Sequence, residues 1–266
     1  MNRVMTILAV ADAASVDVGL LETTVEALRI PTRAKQMRAP AAKRLHLLGR
    51  LVMWFLLYKA TGHESIASEL STNKFGKPVV SGCTDLHFNV SHSGEWVVGA
   101  ICDVPVGIDV EEIRPIDLAM MYDFFNEQEI VDILERKNPQ DRLRYFYDIW
   151  TLNESYVKAN GKGLAIPIKD FAIRKAGSWI HIFGLETPAY FSQYDINPQC
   201  ILSACCLTRQ APVQTIVRRA AELTEAIYLK IAGESSTQCA MPLGNAIYRS
   251  SGDSIPISKH LKQQPK

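Results

Sequence analysis

The sequence predicts an α+β chain of two halves, and three observations predict it. Residues 40–58 and 141–160 each carry a long, uninterrupted helical pattern. Short apolar runs of strand length flank both, and two of them, 96–102 and 106–110, are separated only by Asp103-Val104-Pro105, a hairpin signal. The order strand, long helix, small group of strands occurs twice, without a sequence-level repeat, about a midpoint near Asp103-Val104-Pro105. The chain therefore divides into residues 1–104, residues 105–209, and a C-terminal helix with a mobile tail over residues 210–266.

Residues 4–10 read as a first strand and 17–29 as a short helix, and Pro31 opens a loop. Pro40 suits the first position of the long helix, where its missing N–H costs nothing. Leu45, Leu48, Val52, Phe55 and Leu56 form its buried stripe. Lys43, His46 and Arg50 share another face, with Arg44 beside them. That face is either an ordinary solvated one or an anion-binding one. Asn73-Lys74-Phe75-Gly76-Lys77-Pro78 is a turn. Residues 86–94 form a strand that runs into Ser91-His92-Ser93-Gly94. A lone histidine is usually structural, but this turn offers hydroxyls, an imidazole and backbone N–H groups to an anion. Residues 117–136 read as helical, as do 211–232, and 171–175, 179–183, 189–194 and 200–207 read as strands. From Gly233 onward the chain is rich in Ser, Gln, Lys and Pro and predicts mobility.

Composition narrows the class. The chain has 266 residues, is 47% hydrophobic, and carries a formal net charge of +1. It has no polyelectrolyte field that would favour nucleic acid, so any anion site must be local. The six cysteines show no C-x-x-C spacing and read as reduced, mostly buried thiols of a cytoplasmic protein. No apolar run reaches the ~20 residues of a membrane span, and none resembles a signal segment.

Two stretches carry chemistry. In Val106-Gly107-Ile108-Asp109-Val110-Glu111, side chains alternate, so Asp109 and Glu111 point the same way. Two carboxylates on one face repel and raise each other's pKa unless a cation lies between them. Oxygen donors without His or Cys suit Mg²⁺. In residues 150–164, Trp150, Glu154 and Lys158 are four apart and share a helix face that ends at Gly161. Taken alone, Glu154 and Lys158 could be a surface ion pair worth ~0.3–0.5 kcal/mol.

Together these residues resemble a 4′-phosphopantetheinyl transferase of the larger, Sfp-like type, from about Pro31 to Cys206. Val106 to Glu111 matches the family's acidic motif in full. Residues 150–164 match its W-x-x-K-E-(S/A)-x-x-K-x-x-G-x-G-L motif at every fixed position but one. Gly76-Lys77-Pro78 and Phe88 to Gly94 match two further motifs in the same order. The resemblance implies a pseudo-twofold arrangement of two similar halves, each a helix packed on a small antiparallel sheet. It implies coenzyme A in the cleft between the halves, with Mg²⁺, and transfer of phosphopantetheine to a serine of an acyl or peptidyl carrier protein, releasing adenosine 3′,5′-bisphosphate. It further implies a monomer whose site is complete within one chain.

On that resemblance Asp109, Glu111 and Glu154 hold Mg²⁺, and Lys158 stabilises or protonates the leaving phosphate. Glu154 accepts the serine proton, directly or through water. Ser91 and His92 hold the 3′-phosphate with Arg33, Arg44 and His46, and Lys77 contacts the adenine end. Ile113, Met121 and Phe124, with Pro115, Met120 and Phe125, form either a carrier-docking patch or part of the core. Asn153 stands where the family usually has lysine. A lysine there, about 100° around the helix from Glu154, is expected to reach the phosphates and tighten coenzyme A. Two other readings use the same residues: a Mg²⁺-dependent nucleotide or pyrophosphate hydrolase, and a non-catalytic module that binds coenzyme A or carrier proteins.

Overall fold

The computed structural model describes residues 4–177, 179–185, 188–209 and 213–233. The predicted tail beyond Gly233 lies outside these residues. The elements in order are β1 (Met5–Ala11), α1 (Val18–Ala27), α2 (Pro40–Thr61), β2 (Leu70–Thr72), β3 (Pro78–Val80), β4 (His87–Ser93), β5 (Trp96–Cys102) and β6 (Val106–Glu112). There follow α3 (Met121–Phe124), α4 (Glu127–Leu134), α5 (Pro139–Asn160), β7 (Ala172–Ala176), β8 (Trp179–Phe183), β9 (Ala189–Asn197), β10 (Cys200–Leu207), β11 (Val213–Arg219) and α6 (Ala220–Ile231). The fold is α+β, as expected. In the first half α2 packs on the sheet β11-β1-β5-β4, and in the second α5 packs on β6-β10-β9.

Each long helix is bounded by the signals that its sequence carries. Pro40 opens α2, and Gly62 closes it in the left-handed region, at φ 74. Asn138 caps α5 through the amides of Gln140 and Asp141, Pro139 follows, and Gly161 ends it at φ 71. The α2 stripe is wider than predicted. Every residue from Leu47 to Leu57 except Arg50 is buried, because α1, the sheet and α6 surround the helix.

Alternation along the strands builds the rest of the core. Leu8 and Val97 face α2, whereas Ile7, Val98 and Ala100 face the other sheet and meet Ile108, Val110, Leu202 and Ala204. The order through the molecule is thus helix, sheet, sheet, helix. Gly107 has no alternative at its position. A Cβ there would lie 2.0 Å from the Ser155 carbonyl oxygen, so glycine lets the backbone of α5 rest directly on β6.

Three expectations are corrected. Trp96–Cys102 and Val106–Glu112 form no hairpin: both edges of β5 are taken by β1 and β4, so β6 crosses to the second sheet and pairs with β10. Residues 117–136 are not one helix. The chain breaks at Asn126, which with Glu129 makes a reciprocal capping box that starts α4. Residues 211–232 are not one helix either. The β-branched run Thr215-Ile216-Val217 lies within β11, which pairs parallel with β1 before α6 begins. Residues 213–231 therefore belong to the sheet and core of the first half, which makes that sheet mixed, not purely antiparallel. Among the described residues no helix is long and apolar enough to cross a membrane.

Candidate functional site

The two halves meet where β4 lies beside β6, and the site forms along that seam. The Asn89 side-chain oxygen accepts from the Ile108 amide at 2.9 Å, which sets the register between the strands. Asp109 and Glu111 then point together toward α5, as alternation predicts. Trp150, Glu154 and Lys158 come down from α5 on one stripe. Ser91, His92, Asp109, Glu111, Trp150, Glu154 and Lys158, with Val90, line a single pocket of about 320 Å³.

Asp109 is 2% exposed. Its Oδ1 accepts from Lys158 Nζ at 2.5 Å and from Ser91 Oγ at 2.9 Å, while its Oδ2 is buried without a partner. Glu111 accepts from the Ser93 hydroxyl at 2.8 Å. Burial raises the pKa of Asp109 despite the Lys158 ammonium. Burial, and then the Asp109 charge, raise Glu111. Burial also raises Glu154, with Asp109 adding to it and Lys158 opposing it. Three carboxylates with raised pKa around one pocket and one orphaned oxygen are a chemical fit for a hard divalent cation. Among the described residues no group of three or more His, Cys, Asp or Glu side chains is drawn together as metal ligands, so the fit rests on the carboxylate chemistry and on the orphaned Asp109 oxygen.

A basic group adjoins the pocket. Burial first, then the charges of Arg50, Arg33 and His92, push His46 down to about 4. Arg50 is lowered by burial and by Arg33. Arg33, His46, Arg50 and His92 therefore share one positive field, and none of them has an ion pair with a carboxylate among the described residues. Arg50 belongs to the basic face of α2 yet was absent from the predicted site set. Its place beside His46 one turn earlier was the available signal.

Other predicted residues lie elsewhere. Arg44 donates to the Val16 carbonyl at 2.9 Å and ties down the loop before α1. Lys77 does not present its ammonium to the pocket. Nζ donates to the carbonyls of Val106, Lys158 and Ala159 at 3.1, 2.6 and 3.2 Å, joining the turn of the first half to the end of α5. Ser91 sits between Lys158 and Asp109 instead of facing outward to an anion. Of the docking residues, Met121 and its neighbour Phe125 are core, at 3% and 2% exposure, and Ile113 and Phe124 pack partly against that core. The side chains exposed nearby are those of Ile116, Tyr122, Val131 and Leu134. Asn153 is 4% exposed and turned away from the pocket, donating to Glu129 Oε1 at 3.0 Å. A second depression of about 420 Å³, lined by Phe171, Phe183 and Arg174, lies away from the seam, and Arg174 is paired there with Asp132. It gathers no comparable set of titratable groups.

Comparisons with known proteins point to one family. Residues 105–205 match the family model described as the 4′-phosphopantetheinyl transferase superfamily, a span that contains all three pocket carboxylates and Lys158. The chain is similar to the 4′-phosphopantetheinyl transferase psf-1 of Bacillus pumilus, with 36% identity over 65% of this chain and 75% of that protein. It is similar to the transferase Sfp of Bacillus subtilis, with 33% identity over 60% of this chain and 72% of that protein. With the transferase gsp of Aneurinibacillus migulanus it shares 43% identity over 48% of this chain and 53% of that one.

Proposed function

The chain belongs to the 4′-phosphopantetheinyl transferase superfamily, and on that premise we propose that it moves the phosphopantetheine arm of coenzyme A onto a serine of an acyl or peptidyl carrier protein. The reaction is Mg²⁺-dependent and releases adenosine 3′,5′-bisphosphate. The observation that carries this reading is the seam itself. The buried Asp109, with one oxygen orphaned, stands beside Glu111, Glu154 and Lys158, and the uncompensated basic cluster begins at His92.

Asp109, Glu111 and Glu154 would hold the cation, which when bound neutralises the pyrophosphate and so favours attack at phosphorus. The 3′-phosphate lies against Arg33, His46, Arg50 and His92, where a dianion meets the two guanidiniums and can accept hydrogen bonds from the imidazoles. The carrier serine oxygen attacks the β-phosphorus, and the bond from that phosphorus to the bridging oxygen breaks. Lys158 neutralises the charge that appears on the departing phosphate. Glu154 takes the serine proton, directly or through water. The catalytic and cation-holding side chains all come from one chain, so we take the enzyme to be a monomer. Its buried, unpaired thiols suit the reducing cytoplasm.

Mass spectrometry of a panel of apo carrier proteins, incubated with the enzyme, coenzyme A and Mg²⁺, tests the proposal. The expected result is a gain of the phosphopantetheine mass on one serine. Release of the bisphosphate from coenzyme A without any carrier would instead identify a hydrolase. Binding of coenzyme A with neither outcome would leave a non-catalytic module.

A further inference from the structure

Ser93 lies at the end of β4, in the first half, and no part of the proposed chemistry uses it. Its oxygen accepts from the Glu112 amide at 3.1 Å. That bond occupies the lone-pair side of the hydroxyl, so its one proton is aimed at Glu111 Oε2, 2.8 Å away. Unlike a freely rotating hydroxyl, this one has its direction set by the backbone of the strand that carries Glu111. The next residue suits the approach. Gly94 has φ 57, in the left-handed region that favours glycine, and its Cα faces the Glu112 side chain at the end of β6.

We infer that Ser93 is a positioning residue for Glu111, by which the first half of the chain sets the orientation of a cation-holding carboxylate of the second half. The inference rests on the proposed transferase reading. Glu111 is half-buried beside the Asp109 charge, so its carboxylate is driven to rotate away from that neighbour, and the side chains of Ser93 and Trp150 hydrogen-bond to it. The Ser93 hydrogen bond resists that rotation. Ser91 has the same relation to Asp109, one strand alternation earlier. Two serines two residues apart on β4 thus face two carboxylates two residues apart on β6. Hydrogen-bond partners behind metal ligands typically change metal affinity or activity about 10- to 100-fold when removed.

The test uses the full chain with Mn²⁺ as the probe, its binding followed by electron paramagnetic resonance with and without coenzyme A. Carrier modification is measured in parallel. Ser93→Ala should weaken Mn²⁺ binding about tenfold or more and lower kcat, with the KM for coenzyme A within about twofold. Ser93→Thr, which keeps the hydroxyl, should restore both. Equal Mn²⁺ affinity in Ser93→Ala and the natural protein would overturn the inference, as would equal impairment in the Ala and Thr variants. Glu111→Gln separates this from failure of the underlying reading. If Glu111→Gln weakens Mn²⁺ and Ser93→Ala does not, the positioning role is wrong and the cation site stands. If the natural protein itself neither binds Mn²⁺ nor needs a divalent cation, both fall.

Discussion

Lys158 Nζ lies 2.5 Å from Asp109 Oδ1, an ion pair in which the carboxylate is enclosed and the ammonium reaches from the last turn of α5 across to β6. Removing the lysine alone strands a buried charge, which typically costs about 3–5 kcal/mol. Lys158→Met should lose that much stability in denaturant titrations and should abolish transfer. Asp109→Asn in the same chain should recover most of the stability and none of the transfer. Asp109→Ala alone should also abolish transfer while the protein stays folded. Near-normal turnover of that variant at limiting Mg²⁺ would remove Asp109 from the cation site.

Asn153 leads to a different outcome from the one its sequence position suggests. A neighbour 100° from Glu154 could have bordered the pocket, but the amide points to Glu129, which is 1% exposed and has its pKa raised chiefly by burial. The Glu129 carboxylate accepts from Asn153, Ile173 and Asn126, and no cation is paired with it among the described residues. Asn153→Lys should therefore place its ammonium on Glu129. Buried ion pairs roughly break even, so stability should change by no more than about 1 kcal/mol. The KM for coenzyme A should stay within about twofold at low and high salt. A tenfold lower KM at low salt would show that the new lysine reaches the phosphates after all.

The pocket was legible because its chemistry is local in sequence. Asp109 and Glu111 need only strand alternation, and Trp150, Glu154 and Lys158 need only the helical period, to be placed on their faces. What faces them was not legible. That Ser91 and Ser93 serve the carboxylates, and that Lys77 is bound to carbonyls, depends on how β4 docks against β6, a contact between halves that no local pattern encodes. The same limit explains the strand errors. Trp96–Cys102 and Val106–Glu112 look like a hairpin until β1 takes the free edge of β5. Val213–Arg219 looks helical until β1 offers it a parallel partner. The break at Asn126 is a different matter, since Asn126 and Glu129 have the spacing of a capping box and could have been read directly.

Lys77 should behave as a strap between the halves. Its three carbonyl partners include those of Lys158 and Ala159, at the very end of α5, so it holds the turn that carries the Lys158 ammonium. Hydrogen bonds to charged donors contribute about 1.5–3 kcal/mol each, and some of these carbonyls can re-pair with water. Lys77→Met should lose about 3 kcal/mol of stability and reduce kcat, with the KM for coenzyme A within about threefold. Urea titration and steady-state kinetics of one preparation would decide it. An undiminished stability with a tenfold higher KM would mean that the side chain contacts the nucleotide, as the family resemblance implied.

His46 gives the cluster a pH signature. Its folded pKa is about 4 against the usual 6.5, because burial and then Arg50, Arg33 and His92 disfavour the imidazolium. Above pH 6.5 the ring is neutral in both the folded and unfolded chain, and it contributes nothing to pH dependence. Between pH 6.5 and 4 the unfolded chain binds a proton that the folded chain refuses, so stability falls as the pH falls through that window and levels off below it. An enclosed group would contribute about 3 kcal/mol over that range, and solvent around this half-exposed ring reduces it to about 1–2 kcal/mol. A bound phosphate reverses the sign locally. Its negative charge offsets the arginines and raises the imidazole pKa, so His46 takes up a proton on binding in this window, against the proton that the 3′-phosphate, with its second pKa of about 6, gives up beside the arginines. Calorimetry of coenzyme A at pH 5.5, in two buffers with different ionisation enthalpies, should show a net proton exchange more positive for the natural protein than for His46→Gln, the difference being the imidazole's uptake. With dephospho-coenzyme A, which lacks the 3′-phosphate, that difference between the two proteins should vanish. Equal proton exchange by the natural protein and His46→Gln with coenzyme A would mean that the 3′-phosphate lies away from His46 and that the anion site must be sought on another face.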